Sequence, residues 1–232
     1  MTSRRLLAAA AAVAALAVLD ASGRAAAHEP PEESDPPAVM DFVPPAPGTY
    51  RLYHIMPAPD GAVLDAEGRR ARLARFTRGK VTVLSFIYTS CADARGCPLA
   101  YQVLHTVRDR LNASPERRAR VRLVSLSFDP ARDTPAVMRR YARELGAHEP
   151  APAAGVEWAF LTTASVRDLL PLLDGFGQDV RREPSARGAA AQLGHVLKVF
   201  LIDARGSVRE IYTTSYLFPE VVLNDIETLE LE

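Results

Sequence analysis

A run of eight mostly apolar residues, from Val81 to Tyr88, constrains the fold of this chain more than any other feature. Its β-branched and aromatic side chains and its short length are typical of a strand. Because apolar residues occupy both alternating faces, we expect this strand to be covered on both sides, as in the parallel sheets of α/β proteins. The run therefore predicts a central sheet with helices on its two faces.

The rest of the chain alternates strand and helix patterns in the order β, α, β, α, β, α, β, β, α. Pro98 and Pro135 stand where first helical residues belong, and Thr134 and Ser165 precede helical patterns as N-caps. This order predicts a mostly parallel sheet that ends in an antiparallel hairpin and a last helix. Further strands are predicted at 121–128, 158–161, 195–202 and 208–212.

The first 27 residues have the features of an export signal. Arg4 and Arg5 form a positive start, residues 6–19 are apolar but too short to favour a membrane span, and the small residues 25–27 suit cleavage. We expect a mature chain that begins at His28 and is exported to the periplasm. An uncleaved segment would instead anchor the protein to the membrane.

The mature chain is expected to consist of a linker and one domain. Residues 28–47 are Pro-rich and acidic, which is typical of a linker, and residues 48–232 are long enough for one domain. The full chain has 28 basic and 28 acidic residues, of which residues 1–27 hold three and one. The near-balanced remainder argues against nucleic-acid partners and against membrane-surface binding, since both need clustered positive charge.

The two cysteines of the chain, Cys91 and Cys97, lie between the central strand and the helix that begins near Pro98. The N–H groups and the dipole of a helix N-terminus stabilise a thiolate, which is the form that attacks disulfides and binds soft metals. From the residues alone, three outcomes remain open. The pair forms a structural disulfide, exchanges with other disulfides, or holds a metal ion.

Several segments follow one another in a fixed order and contain strand ends, the two cysteines and a DPxxDTP pattern. They are Phe86-Ile87-Tyr88-Thr89-Ser90-Cys91, Cys97-Pro98, Phe128-Asp129-Pro130-Ala131-Arg132-Asp133-Thr134-Pro135, Trp158-Ala159-Phe160-Leu161-Thr162, and Gly194-His195 followed by Phe200-Leu201-Ile202-Asp203. This ordered set resembles the segments of a known family, the Sco/SenC proteins, which have a thioredoxin fold and deliver copper to cytochrome oxidase.

The resemblance implies a thioredoxin-like α/β fold in which Cys91, Cys97 and His195 bind copper. It also implies a partner, either the copper subunit of cytochrome oxidase or another exported cuproprotein. Two thiolates and one imidazole are soft ligands that suit Cu(I), or Cu(II) after reorganisation. Family members usually have three residues between the cysteines, whereas this chain has five, which indicates a divergent branch.

Two other interpretations of the same residues stay open. In the first, the protein is a thiol–disulfide oxidoreductase in which one of Cys91 and Cys97 attacks and the other resolves, while His195 tunes the thiolate. In the second, the pair is a structural disulfide in a thioredoxin-fold scaffold.

The remaining candidate residues have simpler expected roles. Asp129 and Asp133 are expected to serve the turn and the start of the following helix. If cleavage leaves His28 at the terminus, its amine and imidazole together form a second, weak copper site. Core packing is expected for Phe86 and Tyr88, and surface or packing positions for His54, His105 and His148.

Overall fold

A computed structural model describes residues 39–91, 93–146, 155–182 and 193–232. Within these ranges the strands are β1 (Met56–Pro57), β2 (Ala62–Asp65), β3 (Arg70–Arg72), β4 (Val81–Ile87), β5 (Val121–Ser127), β6 (Glu157–Thr162), β7 (Val180–Arg182), β8 (Leu193–His195), β9 (Val199–Ile202) and β10 (Ser207–Tyr212). The helices are α1 (Ala74–Thr77), α2 (Cys97–Asn112), α3 (Pro115–Arg120), α4 (Pro135–Glu144), α5 (Val166–Phe176) and α6 (Pro219–Glu230). The predicted export signal, His28 and His148 lie outside the described residues.

The main sheet has the strand order β1-β10-β9-β4-β5-β6-β2-β3. The α/β class is confirmed, but the expectation of a mostly parallel sheet is wrong, because of its seven strand pairs only β4–β5 and β5–β6 are parallel. After β4 and again after β5, a helical connection brings the chain back to the end of the sheet where the strand began. The next strand, β5 or β6, therefore runs in the same direction. The outer strands instead follow short connections or come from the N-terminal part of the chain, and they pair antiparallel.

Two hydrophobic cores lie on the two faces of this sheet, as the central apolar run predicts. Along β4, Leu84 and Phe86 belong to one core, and Val81 and Val83 belong to the other. The first core also contains residues of α4 and α5, and the second contains residues of α2 and α6. Because both faces of β4 are covered, the end of this strand is fixed relative to helices on both sides.

The strand predicted at 195–202 is divided in the structure. His195 ends β8, which pairs with β7 in a separate two-stranded sheet, and only Val199–Ile202 joins the main sheet as β9. The division follows from the side chains between them, because Val196 is 59% exposed and the Lys198 ammonium donates to the Gly177 carbonyl. His195 therefore stands on a short hairpin beside the main sheet.

The described part of the predicted linker, residues 39–47, contacts the domain. The Phe42 ring packs 6.0 Å from the rings of Tyr216 and Phe218. The Asn224 side-chain amide donates to the Pro45 carbonyl at 2.9 Å. Residues 28–38 of the linker lie outside the described ranges. Among the helices of the described ranges, none has both the length and the apolar character needed to cross a bilayer.

Candidate functional site

The two cysteines stand at the carboxyl end of β4, where the chain turns into α2. The helix begins one residue earlier than predicted, so Cys97 is its first residue and Pro98 its second. Both cysteines are free thiols, Cys91 half-buried and Cys97 buried. A Cβ atom at Gly96 would lie 3.4 Å from the Cys91 sulfur, so glycine leaves this sulfur room beside the helix N-terminus.

A hydrogen bond between the two sulfurs divides their roles. The Cys97 thiol donates to the Cys91 sulfur, and this bond lowers the pKa of Cys91 to about 5. Burial opposes the decrease, while the Cys97 backbone N–H supports it, as expected at a helix N-terminus. The pKa of Cys97 is raised well above its usual value by the same bond and by burial. Near neutral pH the pair is therefore one thiolate and one thiol.

A buried carboxylate from the DPxxDTP segment fixes the chain just before Cys91. Asp133 is 1% exposed and accepts from the Thr89 backbone N–H at 3.1 Å and the Thr89 hydroxyl at 2.5 Å. It also accepts from the Ser127 hydroxyl at 2.6 Å. Asp133 was expected to serve the start of the following helix, but both of its carboxylate oxygens accept from Thr89 or Ser127 instead. Thr134 does stand at the N-cap of α4, yet its side chain makes no capping bond. Asp129 does serve the turn, since its carbonyl accepts from the Arg132 and Asp133 amides.

His195 lies at the same edge of the sheet, in a slot between two aromatic rings. Its ring is 5.8 Å from that of Tyr88, which follows β4, and 4.8 Å from that of Phe128, which follows β5. Its Nδ1 is 3.0 Å from the Leu193 carbonyl oxygen. A carbonyl only accepts, so Nδ1 carries the proton and Nε2 presents a lone pair. This tautomer is the one that binds a metal through Nε2.

The Nε2 atom of His195 is buried and has no hydrogen-bond partner among the described residues. Buried polar atoms in proteins nearly always have a partner, so an orphaned lone pair indicates a missing ligand. Its chemistry fits a soft or borderline metal ion. In this structure, however, the described His, Cys, Asp and Glu side chains do not gather into a group of three that could hold a metal ion. Cys91 and Cys97 are together, and His195 stands apart from them.

Tyr88 connects the two parts of the site. It is 5% exposed, its ring centroid is 5.8 Å from that of His195, and its hydroxyl and the Cys91 thiol each affect the pKa of the other. Burial, followed by the bond to Cys91, raises the pKa of Tyr88 to about 12. The sequence interpretation of Tyr88 as a core residue is correct for its ring but missed its hydroxyl. A buried tyrosine hydroxyl needs a partner, and that was the available signal.

The other histidines in the described ranges lie away from this edge. The exposed His54 is hydrogen-bonded to Ser207, and Nδ1 of His105 is 3.1 Å from an Asp109 carboxylate oxygen one helical turn away. Both agree with the surface or packing positions that the sequence predicts. Tyr141 of α4 was not singled out, yet its pKa is raised by burial and then by the charge of the thiol pair.

The fold and the site together define a thioredoxin-like α/β protein with a reduced cysteine pair where a central strand turns into a helix. Comparison with known families extends this result. The family profile described as SCO1/SenC matches residues 62–230, and the chain belongs to this family.

Solved structures of family members share the fold. The apo Sco1 protein from Thermus thermophilus is 25% identical, with a TM-score of 0.62 over 78% of this chain and 95% of that one. Arabidopsis thaliana ScoI with copper bound is 17% identical, with a TM-score of 0.62 over 75% and 98%. Bradyrhizobium japonicum ScoI with copper bound is 20% identical, with a TM-score of 0.58 over 73% and 97%. A search of curated proteins gave no match.

Proposed function

We propose that this chain is an exported copper-binding protein that delivers copper to, or prepares the copper site of, a respiratory oxidase or another cuproprotein. Copper is its cargo, and Cys91, Cys97 and His195 are the proposed ligands. The observation that carries the proposal is the pairing, at one sheet edge, of a thiolate–thiol pair with an orphaned imidazole nitrogen. Family membership and the copper-bound relatives support it.

The charge state of the cysteine pair suits capture and release of Cu(I). Cys91 is already a thiolate near neutral pH, so the first sulfur ligand needs no deprotonation. Cys97 must lose its proton when it binds, which makes binding depend on pH. Cys91 is half-buried rather than enclosed, so a partner protein has access to the metal from that side. Three soft ligands leave the coordination sphere open for transfer.

The five-residue spacing between the cysteines does not separate the sulfurs. The loop contains a turn closed by the Gly96 N–H and the Asp93 carbonyl at 3.0 Å, and each cysteine still shifts the pKa of the other. A longer loop than the usual family spacing therefore still presents both thiols together. This geometry supports carrying the family's cysteine ligands over to Cys91 and Cys97.

Anaerobic titration of the reduced protein with Cu(I), in competition with a chromophoric chelator, tests the proposal. One equivalent should bind, the Cys91→Ser/Cys97→Ser variant should lose binding, and His195→Ala should bind more weakly. His105→Ala is the matched control, because His105 lies on the surface of α2 and should leave affinity unchanged. Stoichiometric binding that survives the loss of both cysteines would overturn the proposal.

A second function is favoured by the lowered pKa of Cys91 beside a thiol. In this mechanism the Cys91 thiolate attacks a disulfide of a partner protein, forms a mixed disulfide and releases one partner thiolate. Cys97 then loses its proton and attacks the Cys91 sulfur, which forms the Cys91–Cys97 disulfide and releases the second partner thiolate. The two electrons of the cysteine pair reduce the partner, whose cysteines are then ready for copper.

The reduction potential of the Cys91–Cys97 pair tests this second function. We expect a potential on the order of −300 mV or higher, since lower values are typical of structural disulfides. The measurement is equilibration in thiol–disulfide buffers, followed by alkylation and mass analysis. An oxidised pair that glutathione buffers do not reduce would count against exchange. His195→Ala should change copper affinity more than this potential, because exchange does not require the imidazole.

A further inference from the structure

We propose that Gln178 is a positioning residue for His195, and that it holds the imidazole at the site edge where copper is to be bound. This inference rests on the proposed function and deepens it, because it names the residue that places the third ligand. Gln178 is 3% exposed and directly follows the C-cap of α5. Its side-chain nitrogen donates to the Val196 carbonyl at 3.0 Å and to the Asp179 carbonyl at 3.2 Å. Val196 comes immediately after His195, so Gln178 holds the end of the strand that carries the imidazole.

A second side chain makes the same connection in the opposite direction. The Lys198 ammonium donates to the carbonyl of Gly177, which is the residue before Gln178. Residues 196–198 lie between β8 and β9 and belong to neither strand, so side chains rather than a strand ladder fix this segment. The end of α5 and the segment after His195 therefore each supply one side chain to the backbone of the other.

The C-terminus of α5 is a fixed support for this connection. Gly177 takes a left-handed conformation, with φ at 60°, that ends the helix, and the Gln178 N–H donates to the Leu173 carbonyl at 2.8 Å. One residue earlier, the ring of Phe176 packs 5.4 Å from that of Phe86 in β4. The β7–β8 hairpin, by contrast, has only three residue pairs of its own. The core under the site therefore sets the position of Gln178, and Gln178 transmits it to the hairpin.

The unpaired oxygen of Gln178 indicates that the amide is present for its nitrogen. Both partners of the nitrogen are carbonyls, which only accept, so the orientation of the amide is determined. Its Oε1 is then buried without a partner among the described residues. A buried acceptor without a donor is unfavourable, so an apolar side chain would fill this space at a lower cost. The bond to Val196 accounts for an amide at this position.

Gln178→Met tests this bond without a large change in volume. It keeps the length of the side chain, removes the donor to Val196 and also removes the orphaned oxygen, so the fold should be retained. Gln102→Met is the matched control, because it makes the same chemical change at an exposed position of α2.

The first measurement is amide hydrogen exchange in the reduced, copper-free protein. The amides of β7 and β8 should exchange roughly fivefold faster in Gln178→Met, as expected for the loss of one hydrogen bond, and should be unchanged in Gln102→Met. Exchange at Thr89, which Asp133 holds, should stay at the wild-type rate, and this separates local loosening from a general loss of stability. An unchanged exchange rate of the hairpin in Gln178→Met would overturn the inference.

The second measurement is a double-mutant cycle in Cu(I) affinity, which distinguishes positioning of the imidazole from a purely structural role. Gln178→Met should weaken binding by roughly fivefold in the wild-type background. In the His195→Ala background it should have no effect, because no imidazole remains to be positioned. An equal loss in both backgrounds, or no loss in either despite faster exchange of the hairpin, would contradict the inference. Failure of the proposed function gives a different result, which is no Cu(I) binding by the wild-type protein while the exchange difference persists.

Discussion

The two halves of the candidate site differ in how completely their polar groups are satisfied. In the cysteine half, residues 88–91 and 93–97 with Asp133, the buried carboxylate has three donors, and no buried side-chain nitrogen or oxygen of these described residues lacks a partner. In the histidine half, residues 178–182 with β8, the buried atoms Nε2 of His195 and Oε1 of Gln178 have no partner among the described residues. One half is therefore complete without a ligand, and the other is not.

This difference has an energetic consequence. A buried polar atom without a partner costs about 1–3 kcal/mol relative to one that is hydrogen-bonded. The histidine half carries this cost until something binds Nε2, whereas no side-chain nitrogen or oxygen among the described residues of the cysteine half carries it. Copper binding is therefore expected to stabilise the histidine half more than the cysteine half.

The largest expected effect comes from breaking the cysteine half at Asp133. Asp133→Asn places an amide N–H₂ against donors from Thr89 and Ser127, so at least one of them loses its acceptor. We expect a loss of about 3 kcal/mol in the free energy of unfolding, measured by urea denaturation. The control is Glu220→Gln, which removes an exposed ion pair with Arg110 and should cost less than about 1 kcal/mol. Equal costs would show that Asp133 does not anchor this half.

The next prediction tests the difference between the two halves of the site by adding Cu(I). With Cu(I) buffered at about 100 times its Kd, opening of the histidine half should become up to roughly a hundredfold rarer. Amide exchange at His195 should slow accordingly, while exchange at Thr89, which Asp133 already holds, should change less. Equal slowing in both halves would contradict the difference between them.

A smaller effect concerns the thiolate. The fraction of Cys91 in the thiolate form rises as the pH passes its pKa, so the alkylation rate should rise up to about pH 6 and then level off, with a midpoint at about 5. Cys97→Ala removes the thiol donor and should move this midpoint upward, which slows alkylation at pH 5 severalfold. A midpoint near 9 in the wild-type protein would show that the hydrogen bond between the sulfurs is absent.

The sequence predicted the cysteine half better than the histidine half, for physical reasons. Cys91, Cys97 and the helix start lie within a few residues, and a strand followed by proline determines their local geometry. The main errors concern contacts between distant segments. Asp133 bonds Thr89 across 44 residues, which no local pattern indicates.

The position of His195 depends on contacts that local patterns do not encode. A continuous apolar run suggested one strand from 195 to 202, and the exposure of Val196 was not visible in it. The slot for the imidazole comes from Tyr88 and Phe128, which follow two other strands. The resemblance to the family selected His195 as a candidate, whereas its tautomer and its orphaned nitrogen required the folded chain.

X-ray absorption of the Cu(I)-loaded, reduced protein tests the central claim most directly, because it counts the ligand atoms around copper. The expected result is two sulfur ligands and one nitrogen ligand in the wild-type protein, with the nitrogen missing in His195→Ala. Indistinguishable spectra for the two proteins would contradict the claim that the orphaned imidazole completes the site.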